Sequence, residues 1–227
     1  VLTSALRPGF FMEKLADKGN GNYAYIDTLK EARKVLVSQL GGTLFTIAKD
    51  VKLQIEFNPA VVKEYRLIGY ENRILAAEDF DNDRKDAGDL GSGHSVTALY
   101  ELVLADGAAL PRSDLLYLTT SVKPGAETAD ELMQIKFRYK RPKEEQSVLM
   151  THAVLNRPVP AAKTSDNFRF SAAVAEWGLL LKASEHKGRA SLDDVQRLAS
   201  GSIGVDAEGY RAEFLSLVKQ SKRLLAR

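Results

Sequence analysis

Two changes in hydrophobic period, one near Thr43 and one near Asn156, limit the folds open to this chain. Between them apolar and polar residues alternate. The clearest case is Val51, Leu53, Ile55 and Phe57, spaced by Lys52, Gln54 and Glu56, which predicts a strand with one apolar face and one charged, wet face. Asn58-Pro59 then turns the chain. Further strands are predicted at Tyr65 to Tyr70, Ser95 to Leu104, Leu115 to Val122, Leu132 to Arg138 and Ser147 to Leu155, divided by Gly, Pro, Asp and Asn. Strands that follow one another without helices predict an antiparallel sandwich or barrel over residues 43–157, inside an α+β chain.

The flanks are helical. Phe10, Phe11, Met12 and Leu15 predict a short helix, closed by Lys18-Gly19-Asn20-Gly21-Asn22. Tyr23 to Ile26 reads as a brief strand. Thr28 and Glu31 form a capping box for a helix carrying Leu29, Ala32, Leu36 and Leu40 up to a stop at Gly41-Gly42. Residues 1–42 are therefore a strand–helix unit of their own. Asn156 to Ala162, with Pro158 and Pro160, is the linker to a helical subdomain over 158–227, expected to pack on the sheet. Ser165 or Asp166 caps its first helix, which runs to about Ser184 with a stripe of Phe170, Val174, Trp177 and Leu181. Ala172, Ala173, Leu179 and Leu180 widen that stripe and predict burial on most sides. Ser191 and Asp194 open a second helix, and a third follows Gly209.

Chemistry is harder to find. Asp79-x-Asp81-x-Asp83 spaces carboxylates like the start of a calcium loop, but Arg84 stands where that loop needs Gly and Leu90 where it needs a bidentate Glu. A non-standard calcium site would use Asp81, Asp83, Asp86 and Asp89; the competing reading is a solvated loop whose Asp and Asn cap their own turns. Gly93-His94-Ser95-Val96-Thr97 resembles a nucleophile elbow but lacks the second Gly and runs into a strand instead of a helix. His94, His152 and His186 are too scattered for a zinc motif, and the absence of cysteine removes thiolate chemistry. No catalytic residue is assigned. Lys136, Arg138, Lys140, Arg141 and Lys143 alternate with Phe137 and Tyr139, yet Glu144 and Glu145 follow and the net charge is only +2, so nucleic acid is not the expected partner. No apolar run reaches the roughly 18–20 residues of a transmembrane helix, and VLTSALRPGFF has no signal-peptide pattern. A start without Met fits a trimmed or processed chain.

Three segments carry a resemblance. LADKGNGNYAYIDTLKEARKVLV resembles the closing strand and last helix of a von Willebrand factor type A domain, as in bacterial YfbK-type envelope proteins. EDFDNDRKDAGDLGSGHSVTALYE resembles the hallmark of the domain that follows it, and FRFSAAVAEWGLLLKASEHKG with GYRAEFLSLVKQSKRLL its helical end. The resemblance implies an adhesion or scaffolding protein of the bacterial envelope, often a lipoprotein, with a metal-ion-dependent adhesion site in its A domain. That site needs D-x-S-x-S, which is absent here, so the chain is expected to hold only the end of an A domain (residues 1–42) and its successor. The expected function is non-enzymatic protein–protein interaction or scaffolding, the alternative a calcium-stabilised binding module. Without the A-domain sheet, the 29–40 helix needs another cover, either the sandwich or a second copy of the chain in a homodimer, including by segment exchange.

Overall fold

A computed structural model describes residues 12, 15–16, 23–69, 74–105, 125 and 130–225. The predicted strand at Leu115 to Val122 and most of the helix around Phe10 to Leu15 lie outside them. The chain is α+β, with antiparallel sheets, and divides into two compact units. One draws on residues 1–62, 73–96 and 105–155, the other on 63–72, 97–104 and 156–227.

In the first unit, Tyr23 to Ile26 forms no strand, a correction to the sequence reading. Thr28 caps α1 (Leu29–Arg33) through its side chain, which accepts from the Glu31 N–H at 3.1 Å. The predicted single helix is broken instead by a π-helical turn at Lys34–Ser38, then resumes as α2 (Leu40–Leu44) across the glycines expected to end it. The reason lies in a neighbouring strand. A Cβ placed on Gly91 would sit 1.4 Å from the Gly42 carbonyl oxygen, so helix backbone lies directly on strand backbone, and only glycine at 91 allows it. The Ser92 N–H then bonds the Phe45 carbonyl at 2.8 Å.

The sheet consists of β1 (Thr46–Phe57), β3 (Gly88–Gly91), β5 (Glu131–Lys140) and β6 (Ser147–Leu155) in the order β3-β1-β5-β6. A bulge between Lys49 and Lys52 adds one residue to β1 against β5, and Asp50 there takes φ 50°, a left-handed conformation Asp tolerates better than most side chains. As a result Lys49, Lys52, Arg138 and Lys140 share a face. That face was expected to be wet, yet Lys52 is 3% and Lys140 7% exposed, while Leu53 on the opposite face is 49% exposed.

The second unit holds the two-stranded ladder of β2 (Val62–Ile68) and β4 (Leu99–Leu104), and the helices α3 (Asp166–Leu181), α4 (Leu192–Ser200) and α5 (Tyr210–Leu225). β4 starts at Leu99, later than the alternation suggested, because 94–98 has no regular structure. Ser165 caps α3 and Ser191 caps α4. The core is Ala173, Val195, Ala199, Phe214 and Val218, with Phe170, Trp177, Leu180, Leu198 and Leu215 against it. Phe214 takes Phe170 and Trp177 edge-on at 5.3 and 5.4 Å, and the Trp177 indole donates to Ser221 Oγ at 3.2 Å. The buried stripe of α3 is thus 170, 173, 177 and 180. Val174 and Leu181, predicted in it, are exposed, so this helix is not buried on most sides. Two neighbouring helices use only one face, and small Ala173 lets them approach.

Gly91→Ala should destabilise the first unit by the upper end of about 1–3 kcal/mol, read from thermal melts, because its neighbour is backbone and cannot rotate away.

Candidate functional site

The acidic loop between Glu78 and Asp89 lies on the basic face of the first unit. A 3₁₀ turn (Ala77–Asp79) delivers Phe80, which is 4% exposed and sits beneath the Arg138 guanidinium, 5.4 Å from its centre. Lys52 donates to the carbonyls of Asp79 (3.2 Å) and Asn82 (2.5 Å), and Lys140 to the carbonyl of Asp83 (2.8 Å). Two buried ammonium groups therefore hold the loop by its main chain. Arg138 donates to Asp81 Oδ1 at 2.6 Å and to Ser147 Oγ at 3.0 Å. Its Nε is the buried side-chain donor left without a hydrogen-bond partner among the described residues, and the Phe80 ring offsets part of that cost.

Asp50, at the bulge, closes the arrangement from the other side. One carboxylate oxygen meets Lys140 Nζ at 2.7 Å and the other accepts from the Ala87 N–H at 3.1 Å. The Asp50 N–H donates to Asp89 Oδ1 at 3.2 Å. Burial would raise the Asp50 carboxyl, but Lys140 and the Ala87 amide outweigh it and hold it below the usual range. Asp83 is also held low, chiefly by hydrogen bonding from Ser147, against the effect of burial, with Arg138 and Lys140 adding to the lowering. Hydrogen bonding to Asp50 raises the Lys140 ammonium in return.

The four residues considered as calcium ligands are thus on separate errands. Asp81 is taken by Arg138, Asp83 by the Ser147 N–H at 3.3 Å and Asp89 by the Asp50 N–H, while Asp86 lies beside Asp50. Among the described residues no three His, Asp or Glu side chains gather as metal ligands. His94 and Ser95 are exposed in the irregular stretch after Gly93.

In the second unit, Ala161, Ala162, Arg169, Glu176, Arg197 and Leu198 line an open depression of about 510 Å³. Burial and the nearby Asp194 push the Glu176 carboxyl up, and Arg197 pulls partly against them. Asp194 itself accepts from the Ser191 hydroxyl and the Arg197 guanidinium, while its N–H donates to Ser191 Oγ as the helix cap. Sequence reasoning passed over this depression because Glu176 sits inside an unremarkable helical repeat.

The family model described as "Uncharacterized protein YfbK, C-terminal" matches residues 42–224. The chain belongs to the YfbK C-terminal family. It is 44% identical over 211 residues to "Uncharacterized protein YfbK" of Escherichia coli (strain K12), covering 92% of this chain. It spans 36% of that relative's length. No solved structure matches. Among the described residues no helix is long and apolar enough to cross a membrane.

Lys52→Ala should cost roughly 1–3 kcal/mol in chemical denaturation, since two loop carbonyls lose their buried donor. Acid should also release the loop. A carboxyl held low when folded returns to about 3.9 when unfolded, so its stabilisation is complete above about pH 4 and is lost as pH falls through the folded value. Melting temperature is expected to drop below about pH 4, and Asp50→Asn to be less stable at neutral pH with a shallower acid loss.

Proposed function

We propose that this chain is a non-enzymatic protein–protein interaction or scaffolding module of a bacterial envelope protein. The observation that carries the reading is a run of exposed apolar side chains in the first unit. Leu29 is 88% exposed, Val37 65% and Phe45 68%, and Tyr25, Leu36, Leu44 and Ile47 are exposed with them. Isolated surface leucines are ordinary, but this many within one stretch of chain mark a surface that another protein covers. The placement in the envelope and the reading of residues 1–42 as the end of a von Willebrand factor type A domain rest on the resemblance of LADKGNGNYAYIDTLKEARKVLV. Residues 1–41 also precede the stretch matched by the family model, as a contact segment shared with another domain would. A second copy of the chain is the other cover this face accepts. The same reading has the half-open apolar face of the four-stranded sheet, where Leu53 and Met150 are exposed, closed as one layer of a sandwich.

The chain has no cysteine, so one introduced thiol reports cleanly. In Leu36→Cys, maleimide labelling should slow when envelope extract is added or the chain is concentrated, whereas Leu224→Cys in α5 should label at a constant rate. Equal labelling of Leu36→Cys under all three conditions would end the proposal.

A further inference from the structure

The two edges of the four-stranded sheet are treated differently by the sequence. β3 is four residues long, pairs with β1 through two register shifts, and carries Asp89 and two glycines. Short, bulged and charged edges resist the addition of another strand. β6 has none of these protections. Its nine residues, SVLMTHAVL, contain no Asp, Glu, Lys, Arg, Pro or Gly, and they pair with β5 continuously from Val154 to Ser147. Leu149, Met150 and Leu155 are exposed, and among the described residues no strand adjoins the outer edge.

We infer that β6 is a dimerisation edge, on which the β6 strand of a second copy of this chain pairs antiparallel and extends the sheet across a two-fold axis. What points to a second copy is the strand's own sequence. With Thr151 on the axis, Thr151 faces Thr151, Val148 faces Val154, Leu149 faces Ala153, Met150 faces His152 and Ser147 faces Leu155. Every apolar residue of one strand thus meets an uncharged residue of the other, the centre is a Thr–Thr pair, and two pairs are Val–Val. An isologous contact needs this self-complementarity, and nothing along the edge repels a copy of itself. Pairing along the strand supplies main-chain hydrogen bonds, and the exposed Leu149 and Met150 gain cover on the two faces of the joined sheet. The edge is separate from the apolar run between Tyr25 and Ile47 and stands whether or not that run binds a partner.

Thr151 also provides the test, because it lies opposite Lys136 within the fold. Thr151→Glu places opposite charges across the β5–β6 ladder and like charges across the two-fold, so it should leave the chain folded and separate the dimer. Light scattering after gel filtration should give twice the chain mass for wild type and the single mass for Thr151→Glu, with matching circular dichroism. Thr151→Lys should also be monomeric, and an equal mixture of the two variants should recover the double mass. Leu36→Asp should leave the wild-type dimer intact. A wild-type chain that stays monomeric at every concentration overturns the inference, as does a dimer that survives Thr151→Glu or is broken only by Leu36→Asp.

Discussion

Placing two ammonium groups and a guanidinium on one face of a sheet, out of water, is tolerable only if something returns the hydrogen bonds they lose. Lys52, Lys140 and Arg138 are in that position, and the loop between Glu78 and Asp89 is what returns them. Much of the first unit follows from this requirement. The β1 bulge brings Lys49 and Lys52 to the same face and aims Asp50 at Lys140. The left-handed turn at Asp50 presents its N–H to Asp89, which lies within β3. Gly91 lets that short strand lie against α2. Each step is a modest local cost accepted in order to pair buried charge.

The second unit works by different physics. Phe214 collects Phe170 and Trp177 edge-on, and Val195, Ala199 and Val218 fill the space between three helices. Several of its charged groups serve helix ends. Asp206, a few residues ahead of α5, accepts from the N–H groups of Arg211 (3.2 Å) and Ala212 (2.9 Å), which holds its carboxyl low. Arg211 covers the Phe170 ring at 4.8 Å and donates to the carbonyls of Ser202 and Ile203, closing the α4–α5 turn.

The helix starts at Thr28, Ser165 and Ser191 were legible because a cap is a local arrangement of a hydroxyl and an amide three residues on. The β5 and β6 strands were legible because alternation is local too. The acidic loop's role was not. Lys52, Arg138 and Lys140 alternate as they would on a wet face, and Asp81, Asp83, Asp86 and Asp89 alternate as they would around a cation; either pattern alone misleads. Their complementarity appears only when residues more than fifty positions apart are brought together, as Arg138 and Asp81 are. Gly41-Gly42 misled for a similar reason, since the partner that makes Gly42 useful inside a helix is Gly91. The stripe of α3 was legible at Phe170 and Trp177, with Ala173 and Leu180 beside them, whereas Val174 and Leu181 fall outside it because the neighbouring helices close on the Ala173 side.

Lys52 and Lys140 grasp the loop by the carbonyls of Asp79, Asn82 and Asp83, so what they recognise is the course of the main chain, not the identity of the side chains it bears. Drift in composition and drift in length then have unequal consequences. An exchange at exposed Arg84 or Lys85 leaves those carbonyls where they are. Removing or inserting one residue between Asp79 and Asp83 shifts the spacing of the acceptors and strands an ammonium group. In this part of the molecule the number of residues is under tighter physical control than their kind.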